Sequence, residues 1–301
     1  MTDTESGEAP APHRTVQVLG IDVNRTLLRR WAGWLAPACQ PFFLTAAEAA
    51  ELGLTPDSAR ELSTELRDTY ELWNLDAGLD RVWLDEEAFH ALPRPVRAEL
   101  VRAQVRHGRG GVATVGEWAN LLDARALREQ ADGQHFVWWP TLVEPHVDAV
   151  LPRFVGKDQL PCKRRSVPEE IWRTAAAVLP DARALSGTFA GGSRGSALDT
   201  GATNCFATVI AATGVRNAAE EPFEAWLAAR CTAGGSDDLP GTVLVWRNAG
   251  GTSTHAAVTL GGGWALHKPG QEWHSPRQVL TVADIVRLAP PGLTLHRHSL
   301  R

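Results

Sequence analysis

The texture of the chain changes at Leu239-Pro240-Gly241, and that change limits the folds open to it. Upstream, apolar residues recur at helical spacing. Downstream come short β-rich runs, Thr242 to Arg247, His255 to Leu260, Trp264 to Lys268 and Leu293 to His298, separated by glycine, proline and polar clusters. Helices first and an antiparallel sheet afterwards predict an α+β fold. A chain of 301 residues can bury a sizeable core in one or two domains.

In the first half, helical signals cover Thr45 to Leu52, a run from Thr55-Pro56-Asp57 to Leu75, and Asp85 to Gln104 with an interruption at Pro93 and Pro95. Val16 to Val23 reads as a short strand. Phe136 to Gly156, with Trp138-Trp139-Pro140, Pro145 and Pro152, reads as an irregular connector. Ser166-Val167-Pro168-Glu169 matches a capping box for a helix to about Leu179. A further helix should run from Cys205 to near Gly214, and another from Pro222 to Cys231. These signals divide the chain into a disordered tail (1–15), a mostly helical N-terminal domain (16–155) and a second domain (156–301).

A composition of 44% hydrophobic and 22% charged residues is that of a globular protein, and a net charge of -5 gives no electrostatic reason to expect nucleic acid or an anionic membrane as partner. Met1 to Arg14 lacks the basic start and apolar core of a secretory signal, and no later segment has the apolar length of a membrane span, so a cytoplasmic location is expected. Cys39, Cys162, Cys205 and Cys231 are scattered without CxxC spacing, which predicts neither disulfides nor a zinc site. Gly191-Gly192-Ser193-Arg194-Gly195 lacks the Lys-Ser/Thr ending of a phosphate-binding loop, and no cofactor or metal is expected.

The chemistry centres on Asn204-Cys205-Phe206-Ala207-Thr208-Val209-Ile210, which follows the Gly/Ser/Thr-rich stretch Gly191 to Thr203. A cysteine at the head of a helix meets unpaired N–H groups and the positive end of the helix dipole, both of which favour thiolate. Two histidines follow, His255 and His267, on either side of Gly261-Gly262-Gly263. A three-residue hairpin loop would pair Leu260 with Trp264 and Ala257 with His267. His255 would then share a face with His267, with roughly 7 to 8 Å between alpha carbons. A two-residue loop would put the rings on opposite faces. In the first case the three residues can form a nucleophile, a base and a group that orients the base. His274 is a rival for the third place, and Asn204 can simply cap the helix. Lys163-Arg164-Arg165 reads as a solvated charge cluster, with anion binding as the alternative. The tryptophans, Trp138 and Trp139 among them, read as core and interface material, while Trp264 and Trp273 flank the site.

A cysteine at the head of a helix, then Pro240-Gly241-Thr242-Val243-Leu244-Val245-Trp246, His255-Ala256-Ala257-Val258-Thr259-Leu260-Gly261 and Ala265-Leu266-His267-Lys268, resembles the NlpC-type cysteine peptidases of the papain-like superfamily, over roughly residues 160 to 301. The resemblance implies a Cys-bearing helix packed on an antiparallel sheet. It also implies Cys205 as nucleophile, His255 as general base and His267 as orienting residue, with an acyl-cysteine intermediate. The oxyanion would be held by the Cys205 N–H and a donor from the preceding loop. Asn204, Phe206, Thr254 and Trp264, as neighbours of these three, are candidate substrate contacts. The chain departs from the family in having Asn204 and Phe206 where aspartate and serine usually flank the nucleophile, and in lacking the usual upstream tyrosine, since its one tyrosine is Tyr70. What is then implied is an intracellular thiol-dependent hydrolase or acyltransferase acting on an amide, peptide or thioester. Its substrate would be a small-molecule, peptide or carrier-bound acyl group, and a protein partner could dock on the helical N-terminal region. The alternatives are a catalytically silent binding or scaffold protein, or an effector-type cell-wall amidase exported by a non-Sec route.

Overall fold

The computed structural model describes residues 15–189 and 204–301. The expected single strand at Val16 to Val23 is a hairpin of β1 (Thr15–Val18) and β2 (Ile21–Asn24), because Leu19 and Gly20 take φ of 53° and 74° and turn the chain back. The Asn24 side chain caps the helix Arg25–Leu35 by accepting from the Leu27 N–H at 2.9 Å, and that helix buries Leu28, Trp31 and Leu35. A second ribbon pairs β3 (Cys39–Leu44) with β4 (Asp80–Asp85). Between them, Thr45 and Glu48 form a capping box on the helix Ala46–Glu51.

The helix expected from Thr55 to Leu75 is confined to Thr64–Thr69 and a 3-10 turn, Leu72–Asn74. Its start is Ser63, whose hydroxyl caps Leu66, while Asp57 bonds through its backbone to Arg81 and Trp83 of the ribbon. The interruption near Pro93 holds, separating Glu86–Ala91 from Arg94–His107. Gln104 on the latter helix is fully buried. Its amide accepts from the Phe43 N–H at 2.8 Å and donates to the Phe43 carbonyl at 2.9 Å, tying helix to ribbon. Gln104→Leu keeps the volume but strands both Phe43 groups, so a loss of about 2 to 4 kcal/mol in urea unfolding is expected, against well under 1 if the amide were incidental.

Phe136 to Gly156 is structured rather than an irregular connector. β5 (Val112–Thr114) pairs with β6 (His135–Val137), and two helices follow, Pro140–Val143 and Val147–Gly156. Pro140 occupies a first turn, where no N–H is needed. Pro152 lies inside a helix whose Val150, Leu151 and Val155 are fully buried, so packing outweighs the lost hydrogen bond.

The capping box at Ser166 does not form. Ser166 ends a 3-10 turn, Arg164–Ser166, and Pro168, which has no side-chain acceptor, stands at the start of the helix Glu169–Ala175. A seven-stranded antiparallel sheet completes the α+β fold. Its strands are β7 (Thr188–Phe189), β8 (Cys231–Ala233), β9 (Pro240–Arg247), β10 (Ser253–Gly261), β11 (Trp264–His267), β12 (Pro276–Thr281) and β13 (Thr294–Leu300), in the spatial order β7-β12-β11-β10-β9-β13-β8. One face, with Val243, Val245, Ala256, Val258, Leu266 and Val279, packs against the helices Glu169–Ala175, Cys205–Ala212 and Phe223–Arg230. The other, with Leu244, Trp246, Ala257, Ala265 and Leu280, packs against the helix Val282–Leu288. The boundary near residue 155 is not a break in packing, because Phe189 and Trp273 belong to the same buried cluster as Trp31, Trp118 and Trp138.

Candidate active site

Seven of the eight residues of Cys205–Ala212 are buried, as expected of a helix apolar on all sides. Its entry is fixed by Asn204, whose Oδ1 accepts from the Ala207 N–H at 2.8 Å and whose carbonyl accepts the Thr208 hydroxyl at 2.7 Å. Asn204 Oδ1 is therefore engaged in capping the helix. Cys205 begins the helix with 9% of its surface exposed. Its thiol faces the backbone N–H groups of Ala256, Phe206 and Cys205 itself, which together with nearby Lys268 favour thiolate. Burial outweighs them and pushes the thiol above its ordinary value. The helix-head groups favour thiolate as the sequence suggests, but enclosure reverses the net direction.

Alternation along β10 puts His255 on the face of Ala257, and β11 puts His267 opposite Ala257. That is the pairing a three-residue loop predicts, though the tip differs: Trp264 pairs with Gly261, not Leu260. Gly261, Gly262 and Gly263 have φ of 96°, 57° and 75°, and this left-handed run produces the bulge. The two rings meet edge to face with centroids 5.7 Å apart, His267 Nδ1 standing 3.5 Å from His255 Nε2. His255 also packs on Trp246 at 5.3 Å. Burial lowers His255 to about 4 and takes His267 well below the ordinary imidazole value, the neighbouring His255 adding to the effect. Among the described residues no hydrogen bond joins the thiol to His255; the link between them is Ala256, whose N–H faces the sulfur. The site at rest holds a neutral thiol and neutral imidazoles.

His274, the rival third residue, has its ring against Phe154 and Trp273, and its Nδ1 has no hydrogen-bond partner among the described residues. Phe206 stacks on Phe223 at 4.4 Å, and Trp264 packs on the helix-bearing face of the sheet, opposite the histidines, so both serve packing. Thr254 is exposed and donates to the Trp246 carbonyl at 3.2 Å. Lys163, Arg164 and Arg165 are engaged internally by Asp284, Ser186 and Asp22 respectively, which accounts for the cluster without an anion. The stretch 191–203, with the expected oxyanion donor, lies outside the described residues.

Two groups escaped the sequence reading. Lys268, fully buried next to His267, donates through Nζ to the carbonyls of Gly270 at 2.6 Å and Glu272 at 2.9 Å. Burial brings its amine down to about 7, against the pull of Glu272. Gln278, opposite His267 on β12, is 1% exposed and brings its amide to 3.4 Å from His267 Nε2. A run of Trp264-Ala265-Leu266-His267-Lys268 shows a strand, but only its pairing with β12 brings Gln278 to the ring.

No family model, curated protein or solved structure matches the chain. Among the described residues no helix is long and apolar enough to cross a membrane.

Proposed function

We propose that the protein is a thiol-dependent hydrolase or acyltransferase with a papain-like, NlpC-type C-terminal unit, acting on an amide, peptide or thioester. The observation that carries this reading is the chain of two ring-to-ring histidines on adjacent strands, His267 buried and His255 half-buried, ending beside the backbone N–H that faces the Cys205 thiol at a helix head. The pair stands on the face of the sheet opposite the body of the helix Cys205–Ala212, so in this reading the thiol meets His255 at the strand end beside the Ala256 N–H, where His255 Nε2 is turned to His267 and Nδ1 is left to accept the thiol proton. Because the resting pair is neutral, proton transfer accompanies attack: the proton moves from sulfur to His255 Nδ1 as sulfur bonds the substrate carbonyl. The Cys205 N–H receives the developing oxyanion in this reading. Collapse of that adduct returns the proton to the departing amine or thiolate and leaves an acyl-cysteine, which water or an amine then releases with His255 as base.

A catalytically silent protein is the second reading, favoured by the neutral pair and by the lack of a direct thiol–imidazole bond. Incubation with p-nitrophenyl esters and acyl thioesters, followed by intact-mass and peptide analysis, separates the two. The expected result is one acyl adduct on Cys205, absent in Cys205→Ala and formed at least about a hundredfold more slowly in His255→Ala. No adduct on Cys205, or formation indifferent to His255, would overturn the enzymatic reading in favour of the silent one.

A further inference from the structure

The nitrogen of His255 that is free to accept a proton depends on a residue two strands away. We propose that Gln278 is a positioning residue whose side-chain amide sets the proton arrangement of both histidines. This rests on the reading of Cys205 and His255 as nucleophile and base. His267 and Gln278 are directly paired across β11 and β12, both almost fully buried, with the amide 3.4 Å from His267 Nε2. His267 Nδ1 in turn lies 3.5 Å from His255 Nε2.

An amide can present either an acceptor or a donor to the ring, and the oxygen and nitrogen positions are an assignment. With the nitrogen turned to His267, Gln278 donates to Nε2, His267 carries its proton on Nδ1 and donates to His255 Nε2, and His255 holds its own proton on Nδ1. That arrangement leaves His255 no lone pair for the thiol; the outer amide atom has no hydrogen-bond partner among the described residues in either orientation. With the oxygen turned to His267, every proton in the chain reverses. His267 donates from Nε2 to Gln278 Oε1, His255 donates from Nε2 to His267 Nδ1, and His255 Nδ1 carries a free lone pair. The carbonyl-facing amide also favours the imidazolium formed during attack, because His255 then keeps its acceptor. Lys268, next along the strand from His267, interacts with Cys205, and Arg277, adjoining Gln278, acts on Lys268.

The test is nitrogen NMR of protein labelled with 15N-histidine, assigned with His255→Ala and His267→Ala, together with the rate of acyl adduct formation. In the wild type both rings should carry their protons on Nε2. Gln278→Leu should mix the tautomers and slow adduct formation at least about tenfold, while Gln278→Glu, which as a carboxylate can only accept, should restore the Nε2–H pattern and most of the rate at pH values where it is ionised. A wild-type His267 protonated on Nδ1, or tautomers and rate unchanged in Gln278→Leu, would overturn the proposal. If Gln278→Leu does not fold, the wild-type tautomers decide alone. Tautomers that follow Gln278 while Cys205 ignores His255→Ala would overturn catalysis and leave the role of Gln278 standing.

Discussion

Lowering the pH from 6.5 to about 4 should destabilise the protein by about 3 kcal/mol, and the enclosed histidines are the cause. His255 and His274 are each pushed by burial from 6.5 to about 4, Lys268 adding to the effect on His274. Between those values the unfolded chain binds protons that the folded chain refuses, so stability rises with pH and is lost as pH falls through the window. Each ring contributes about 3 kcal/mol to that loss, and His267 shifts in the same direction. Asp68 opposes them. Burial raises it from 3.8 to about 6, so the folded state takes up its proton first, which offsets about 3 kcal/mol or somewhat less for a partly exposed carboxyl. Two rings against one carboxyl leave a net loss that is a large share of the stability of an ordinary domain. Lys268 acts on the opposite flank, where stability should rise with pH between about 7 and 10.5. Urea unfolding at pH 7, 5 and 4 measures the effect, and His274→Phe, which keeps a ring between Phe154 and Trp273, should remove most of it. Equal stability at pH 7 and 4 would mean that the imidazoles are solvated and the site is open.

What the sequence discloses and what it hides follow one physical division. Local chemistry is legible. Asn204 before an apolar run is a cap, the glycine run 261–263 is a turn, and the alternation from His255 to Leu260 is a strand, so the side-by-side histidines follow from local pattern plus one loop length. Long-range pairing is not legible. β12 has mixed character in Pro276-Arg277-Gln278-Val279-Leu280-Thr281 and becomes a strand because β11 presents it with a partner, so Gln278 was hidden as a site residue. Protonation is hidden for the same reason. A helix head predicts a lowered thiol, and only the three-dimensional enclosure of Cys205 reverses the sign. Lys268 looks like a strand-end surface residue in sequence, yet the loop that follows wraps its amine with two carbonyls.

Trp273 docks that loop on the N-terminal region, and Trp273→Ala should cost about 3 to 5 kcal/mol. Trp273 is 3% exposed and packs on Trp31 at 5.7 Å, Trp34 at 5.5 Å and Phe154 at 6.1 Å, all from the first half of the chain. Its indole N–H donates to Thr69 Oγ1 at 2.8 Å, and that hydroxyl lies within reach of the Glu65 and Trp34 carbonyls. Truncation leaves a cavity the size of an indole in the cluster that joins the two halves. Trp273→Phe keeps most of the packing and loses the hydrogen bond, so about 1 to 2 kcal/mol is expected, and the ratio of the two variants separates apolar burial from the polar tie. The same loop carries Lys268 and follows directly on His267, so adduct formation at Cys205 should fall in Trp273→Ala even at a temperature where the variant remains folded. Urea unfolding and the acyl-adduct rate, measured on both variants, test this. A loss below 1 kcal/mol in Trp273→Ala would show that the loop docks without holding the halves together. Normal adduct formation in a folded but destabilised variant would place the organisation of the site in the sheet alone.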